Sequence, residues 1–155
     1  MATDPIEAAM VRALTTQGPA MEANFTAPNW VMSPAEFRDF WRSPRLSAFA
    51  TLGAGGRMHA SPIDVSMEGS EFLVQSFSAA VRVRDVESNR HVVITTWEDA
   101  FHATVIYGEA RLEDRAAETV RILVKPQRIY AIRAPAGHKA HRAGVFDAEP
   151  LQSGP

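Results

Sequence analysis

Residues 71–97 read EFLVQSFSAAVRVRDVESNRHVVITTW, and the spacing of their apolar positions changes twice. EFLVQSF is short, apolar-rich and strand-like, AAVRVRDVES carries charges at helical spacing, and HVVITTW returns to β-branched and aromatic residues. The segment is expected to run strand, short helix, strand, with Ser78 as the helix cap. Arg82, Arg84 and the hydroxyls of Ser76 and Ser78 fall where the first strand ends and the helix begins. Helix amides, hydroxyls and a guanidinium are the groups that hold a phosphate. A competing reading leaves both arginines in solvent, paired with Asp85 and Glu87, and helix physics by itself prefers it.

Working outward, RLSAFATL (45–52) alternates. Leu46, Ala48, Ala50 and Leu52 point one way, Ser47, Phe49 and Thr51 the other, and the run ends in Gly53-Ala54-Gly55-Gly56. MHASPIDVSM (58–67) follows, and Glu68-Gly69-Ser70 makes the next turn. Pro62 cannot donate to a ladder, so this strand should have an edge or bulge there and open the wall. Beyond the central segment come the turn Glu98-Asp99-Ala100, the long strand FHATVIYGEARLED (101–114) and the strand TVRILVKPQRIYAIR (119–133). Short strands with close turns and few helices predict a mainly β fold, a small antiparallel barrel. In front of it, Ser33-Pro34-Ala35-Glu36 opens a capped helix whose Phe37, Phe40 and Trp41 share a face, and Pro44 ends it. That aromatic face is expected to cover the core. PIEAAMVRALTTQ (5–17) should form an amphipathic helix, and GPAMEANFTAPNW (18–30) an extended arm.

With 155 residues, 46% hydrophobic and 22% charged, the chain can bury one ordinary core. A net charge of −2 argues against a general nucleic-acid binder, so an anion must be held locally. The absence of cysteine removes disulfides, thiolate nucleophiles and Cys-based zinc sites. No apolar stretch approaches a membrane span and no basic-then-apolar leader opens the sequence, so a soluble, cytoplasmic protein with no membrane partner is expected. His138 and His141 lack a nearby carboxylate and read as solvated tail residues, and no metal site is expected. His59 and His102 should pack within strands, and His91 begins a strand beside the candidate phosphate loop.

The order of these pieces resembles the flavin-binding split barrel of the pyridoxamine 5′-phosphate oxidase-like superfamily. Arg82 stands for the family's basic residue, Val86 for its apolar helix position and Asn89 for its Asn, while Arg90 replaces the usual Pro. Gly108 and Ala110 match its Gly-x-Ala. The resemblance spans residues 33–133 and implies an antiparallel six-stranded split β-barrel of the FMN-binding type over residues 33–147. An N-terminal arm (1–32) would precede it and a C-terminal tail (148–155) follow.

The resemblance further implies a homodimer with cofactor sites at the interface, holding FMN or, alternatively, the deazaflavin coenzyme F-420 or haem. Ser76, Ser78 and Arg82 would hold the phosphate with Arg84 nearby, Ser61, Pro62 and Ile63 would border the ring, and Trp97 and neighbouring residues of the partner subunit would close the site. The implied activity is hydride transfer between the ring and a small conjugated substrate, and the alternative is a carrier barrel without turnover. No general base can be named. The helix that many members insert before the last strand is reduced to about AAE, and the chain ends GVFDAEPLQSGP without the C-terminal Trp and Arg-Leu-x-Pro pattern. Oxidation of pyridoxamine phosphate is therefore not expected.

Overall fold

Each change of period becomes a change of element in the computed structural model, which describes residues 3–19, 22, 30–99 and 102–135. The helices are α1 (Pro5–Thr15), α2 (Pro34–Phe40) and α3 (Val81–Ser88). The strands are β1 (Arg45–Leu52), β2 (Met58–Glu68), β3 (Glu71–Phe77), β4 (His91–Asp99), β5 (His102–Glu113) and β6 (Thr119–Ile132). All pairings are antiparallel, and the order β1-β2-β3-β6-β5-β4 closes where β4 meets β1. The expected six-stranded, mainly β barrel is present. No helix among the described residues is long and apolar enough to cross a membrane.

The capping box forms as its sequence requires: Ser33 N donates to Glu36 Oε2 at 2.7 Å, and Glu36 N donates to Ser33 Oγ at 3.2 Å. The helix it starts delivers Phe37, Phe40 and Trp41 to the core, where Trp41 meets Phe72 edge-on with ring centroids 5.0 Å apart. Helix α1 buries Ile6, Ala9, Met10 and Ala13, and Arg12 Nε donates to the Gln127 carbonyl of β6 at 2.7 Å. Most of the arm expected at 18–30 lies outside the described residues.

Asp4 caps α1 and accepts from Arg38 of α2 at 2.7 Å, with the two side chains 34% and 38% exposed. Hydrogen bonding from Arg38 holds the Asp4 carboxyl below its ordinary value. A depressed folded pKa gives stabilisation that is complete above the unfolded value of about 3.9 and is lost as pH falls through the folded one. Exposure and salt screening limit it to about 1 kcal/mol or less. The Ile6 amide, which donates to Asp4 Oδ1, is therefore expected to lose hydrogen-exchange protection below pH ~4 before the barrel amides do. Simultaneous loss would show that this bridge does not fasten the helix.

Three local expectations are corrected. Ser78 is not the cap of α3: the helix starts at Val81 with Ala80 in the cap position, and Ser78 N donates instead to the Glu118 carbonyl at 2.9 Å. Of the turn expected at Glu98-Asp99-Ala100, Glu98 and Asp99 belong to β4 instead, with Asp99 paired to His102, and Ala100 lies outside the described residues. Asp85 is not an ion-pair partner of the helix arginines: it is buried, and its carboxylate faces β1 and β2.

Two features position the site. In β1 the inward residues are Ser47, Phe49 and Thr51, so the aliphatic series Leu46, Ala48, Ala50 and Leu52 faces outward, and Leu46 is 68% exposed. Strand β2 pairs with β1 from Met58 to Val65 but with β3 only from Val65 to Glu68. The stretch 58–64, containing Pro62, is thus a local edge within a barrel that otherwise closes. Strand β3 leaves β2 there and runs on against β6 to Phe77.

Candidate functional site

Where β2 and β3 part, α3 lies along the gap and Arg82 spans it. Arg82 Nη1 donates to Ser76 Oγ of β3 at 3.0 Å, and Nη2 donates to Ser61 Oγ of β2 at 3.1 Å. Alternation explains the meeting: Ser61 and Ser76 are inward positions of their strands, and Arg82 sits in the first turn of the helix that fills the space between them. Ser76 is 4% exposed and Arg82 is half-buried. Among the described residues no carboxylate pairs with Arg82; its two partners are neutral hydroxyls. A partly desolvated cation without a counter-charge, beside a helix N-terminus, is an electrostatic invitation to an anion.

The competing solvated reading holds for the exposure of Arg84 but not for Arg82, nor for the pairings of Asp85 and Glu87. Arg84 is exposed on α3, and Glu87 pairs with Arg115 across to the loop before β6. Ser78 is half-buried in the loop that enters α3, on the same side of the gap as Ser76.

Ser61 also borders an apolar groove of about 460 Å³, lined by Leu46, Ala48, Ala60, Pro62 and Trp97. The volume lies within the roughly 300–1,000 Å³ usual for small-molecule sites. Cross-strand pairing puts Ala48 opposite both Pro62 and Thr95, so β2, β1 and β4 present their outer side chains as one surface with Trp97 along it. Trp97 is 61% exposed and lines this groove. Ile63 does not join this groove; it packs against the core and borders a separate recess with Pro44 and Gln75.

Of the residues singled out in the sequence, Ser61, Ser76 and Arg82 are hydrogen-bonded together, Pro62 and Trp97 share the adjoining groove, Ser78 flanks the gap, and Arg84 and Ile63 stand apart. His91 is exposed at the start of β4 and its amide donates to Asn89 Oδ1. His138 and His141 lie outside the described residues. The residues missed are Thr51, His59 and Asp85, a hydrogen-bonded cluster one turn along α3 from Arg82 in which Thr51 and Asp85 are buried and His59 is partly exposed. The available signal was the Arg82–Asp85 spacing, which puts both side chains on one helix face.

The arrangement suits a planar, largely apolar molecule with an anionic end, the plane in the groove and the anion at Arg82. Residues 33–152 match the pyridoxamine 5′-phosphate oxidase family. No curated protein matches the chain. Among solved structures, the haem storage protein HutZ from Vibrio cholerae is similar at 16% identity and a TM-score of 0.58, covering 68% of this chain and 98% of that one. A FAD-binding protein from Mesorhizobium loti is similar at 11% identity and a TM-score of 0.54, covering 65% and 93%. An F420 reductase is similar at 12% identity and a TM-score of 0.53, covering 59% and 94%. At such identities the likeness shows a shared barrel.

Proposed function

The chain belongs to the pyridoxamine 5′-phosphate oxidase family, and from that premise we propose that it binds FMN as a flavin-dependent oxidoreductase. The observation that carries the reading is the half-buried Arg82, held by Ser61 and Ser76 without a counter-charge, where Ser61 also borders an apolar groove. The phosphate would lie against Arg82, Ser76 and Ser61 with Ser78 beside it. The ring would lie along Ala48, Ala60 and Pro62 with Trp97 at its side. A single guanidinium and two hydroxyls match one terminal phosphate monoester, which carries close to two charges near neutral pH, and this favours FMN over a deazaflavin diester or haem. Bound flavin supplies hydride transfer to or from a small conjugated substrate; this chain's own residues bind, orient and shield it.

The partner in this reading is a second copy of the chain. Leu46, Met58 and Trp97 are 68%, 77% and 61% exposed on the continuous outer surface of β2, β1 and β4, a concentration of apolar area typical of an interaction face. Carriage without turnover is the second reading, and one observation favours it: none of the residues lining the groove is ionisable, so the groove itself offers no proton donor.

Fluorescence titration of the full chain with FMN tests the main reading. Saturable quenching at one FMN per chain is expected. Binding of haemin or a deazaflavin at that stoichiometry, with FMN left free, would overturn the choice of cofactor. Bleaching of the bound flavin by a reduced nicotinamide or deazaflavin donor, followed by reoxidation with an electron acceptor, separates enzyme from carrier. Pyridoxamine phosphate is expected to yield no peroxide, because β5 passes to β6 through residues 114–118 with no helix there to wall a substrate pocket; stoichiometric peroxide would reverse this part of the reading.

A further inference from the structure

Asp85 lies one turn after Arg82 on α3, with its side chain 7% exposed. Oδ2 accepts from Thr51 Oγ1 of β1 at 2.6 Å and from His59 Nδ1 of β2 at 2.8 Å. Thr51 and His59 are direct cross-strand partners, so the carboxylate ties the helix to a rigid pair. Its other oxygen rests against the β1–β2 turn, where a Cβ added at Gly53 would come within 2.6 Å of Oδ1. One face of α3 therefore holds β1 and β2 through Asp85, and β2 and β3 through Arg82.

We propose that Asp85, clamped by Thr51, His59 and Gly53, is a positioning residue that aims Arg82 into the gap between β2 and β3. The clamp sits where β2 and β3 have lost their mutual pairing, so α3 cannot take its place from a continuous sheet beneath it. Arg82 has only hydroxyl partners, which leave a long side chain free to choose among rotamers unless its backbone is fixed. Fixing the helix at Asp85 removes that freedom before an anion arrives, the usual route by which preorganisation strengthens binding.

This inference rests on the proposed phosphate site, and the sign of the effect separates it from plain electrostatics. A carboxylate one turn from the cation repels a phosphate, so if Asp85 acted by charge alone its removal would tighten FMN binding. Positioning requires the opposite. Asp85→Ala is expected to weaken FMN binding about fivefold to twentyfold and to leave riboflavin, which lacks the phosphate, within about twofold. Asp85→Asn should recover most of the loss, since an amide oxygen in the Oδ2 position still accepts from both Thr51 Oγ1 and His59 Nδ1.

Gly53→Ala supplies a second route should Asp85→Ala fold poorly. It leaves every polar partner in place, its backbone φ of −78° suits alanine, and its methyl displaces the carboxylate. It too should lower FMN affinity and spare riboflavin. In the ligand-free protein, both substitutions should speed solvent exchange of the Arg82 Nε–H, a readout that needs no cofactor. Unchanged or tighter FMN binding in Asp85→Ala and Gly53→Ala, with Arg82→Ala clearly weakened, overturns the positioning role alone. An unchanged FMN-to-riboflavin ratio in Arg82→Ala overturns the phosphate site itself.

Discussion

Arg82→Ala is expected to weaken FMN binding by about 1.5–3 kcal/mol, the range for a hydrogen bond to a charged group in a partly buried setting. That corresponds to roughly ten- to 150-fold in the dissociation constant. The fold should survive, because Arg82 has no carboxylate partner among the described residues and its removal strands no opposite charge. Ser61 and Ser76 lose a donor but keep hydroxyls that can turn to water or to the ligand. Riboflavin should bind the variant and the parent alike, which assigns the loss to the phosphate and not to the ring. Arg84→Ala is the control: exposed on the same helix, it adds long-range charge and no contact, so it should cost well under 1 kcal/mol. Equal FMN affinity in parent, Arg82→Ala and Arg84→Ala would return both arginines to the role of surface charges.

The parts of this site that could be read in the sequence are those fixed by local periodicity. The changes of period around 71–97 gave the strand, helix and strand that bring Ser76 and Arg82 within reach of each other, and Pro62 marked the local edge that leaves room between β2 and β3. The capping box and the aromatic face of α2 were local as well. What failed depended on contacts distant along the chain. Ser78 looked like a cap until Glu118, 40 residues away, took its amide. Asp85 looked like a partner for neighbouring arginines, yet Thr51 and His59 claim it from 34 and 26 residues away. Of Ser61, Pro62 and Ile63, which the resemblance puts beside the ring, Ser61 and Pro62 border the groove and Ile63 borders a separate recess.

The orientation of β1 leads to the largest expected effect. Alternation showed two faces in RLSAFATL, and burial of the aliphatic one inside the barrel would have been the simpler arrangement. Instead Ser47, Phe49 and Thr51 point inward, while Leu46, Ala48, Ala50 and Leu52 look out across from Met58, Ala60, Pro62 and Val93. A chain that spends its apolar residues on the outside of a barrel needs something to cover them, and a second copy is the occupant our reading of the cofactor site requires. The parent should therefore sediment as a dimer at micromolar concentration, and Ala50→Glu should convert it to monomer. Ala50 is half-buried on the outer face, between Ala60 and Val93, and does not line the groove proposed for the ring. A carboxylate left unpaired in a closed interface costs about 3–5 kcal/mol, or at least a hundredfold in the dimer constant, and two-fold symmetry inserts two of them. Far-UV circular dichroism should not change, since the side chain points away from the core. If the second subunit contributes to the site, FMN affinity should fall together with the dimer, and dilution of the parent below its dimer constant should lower it in the same way, since Ala50 is the cross-strand neighbour of the groove residue Ala60. A parent that sediments as a monomer would remove the second copy from the argument, and an Ala50→Glu variant that stays dimeric would place the interface on another face.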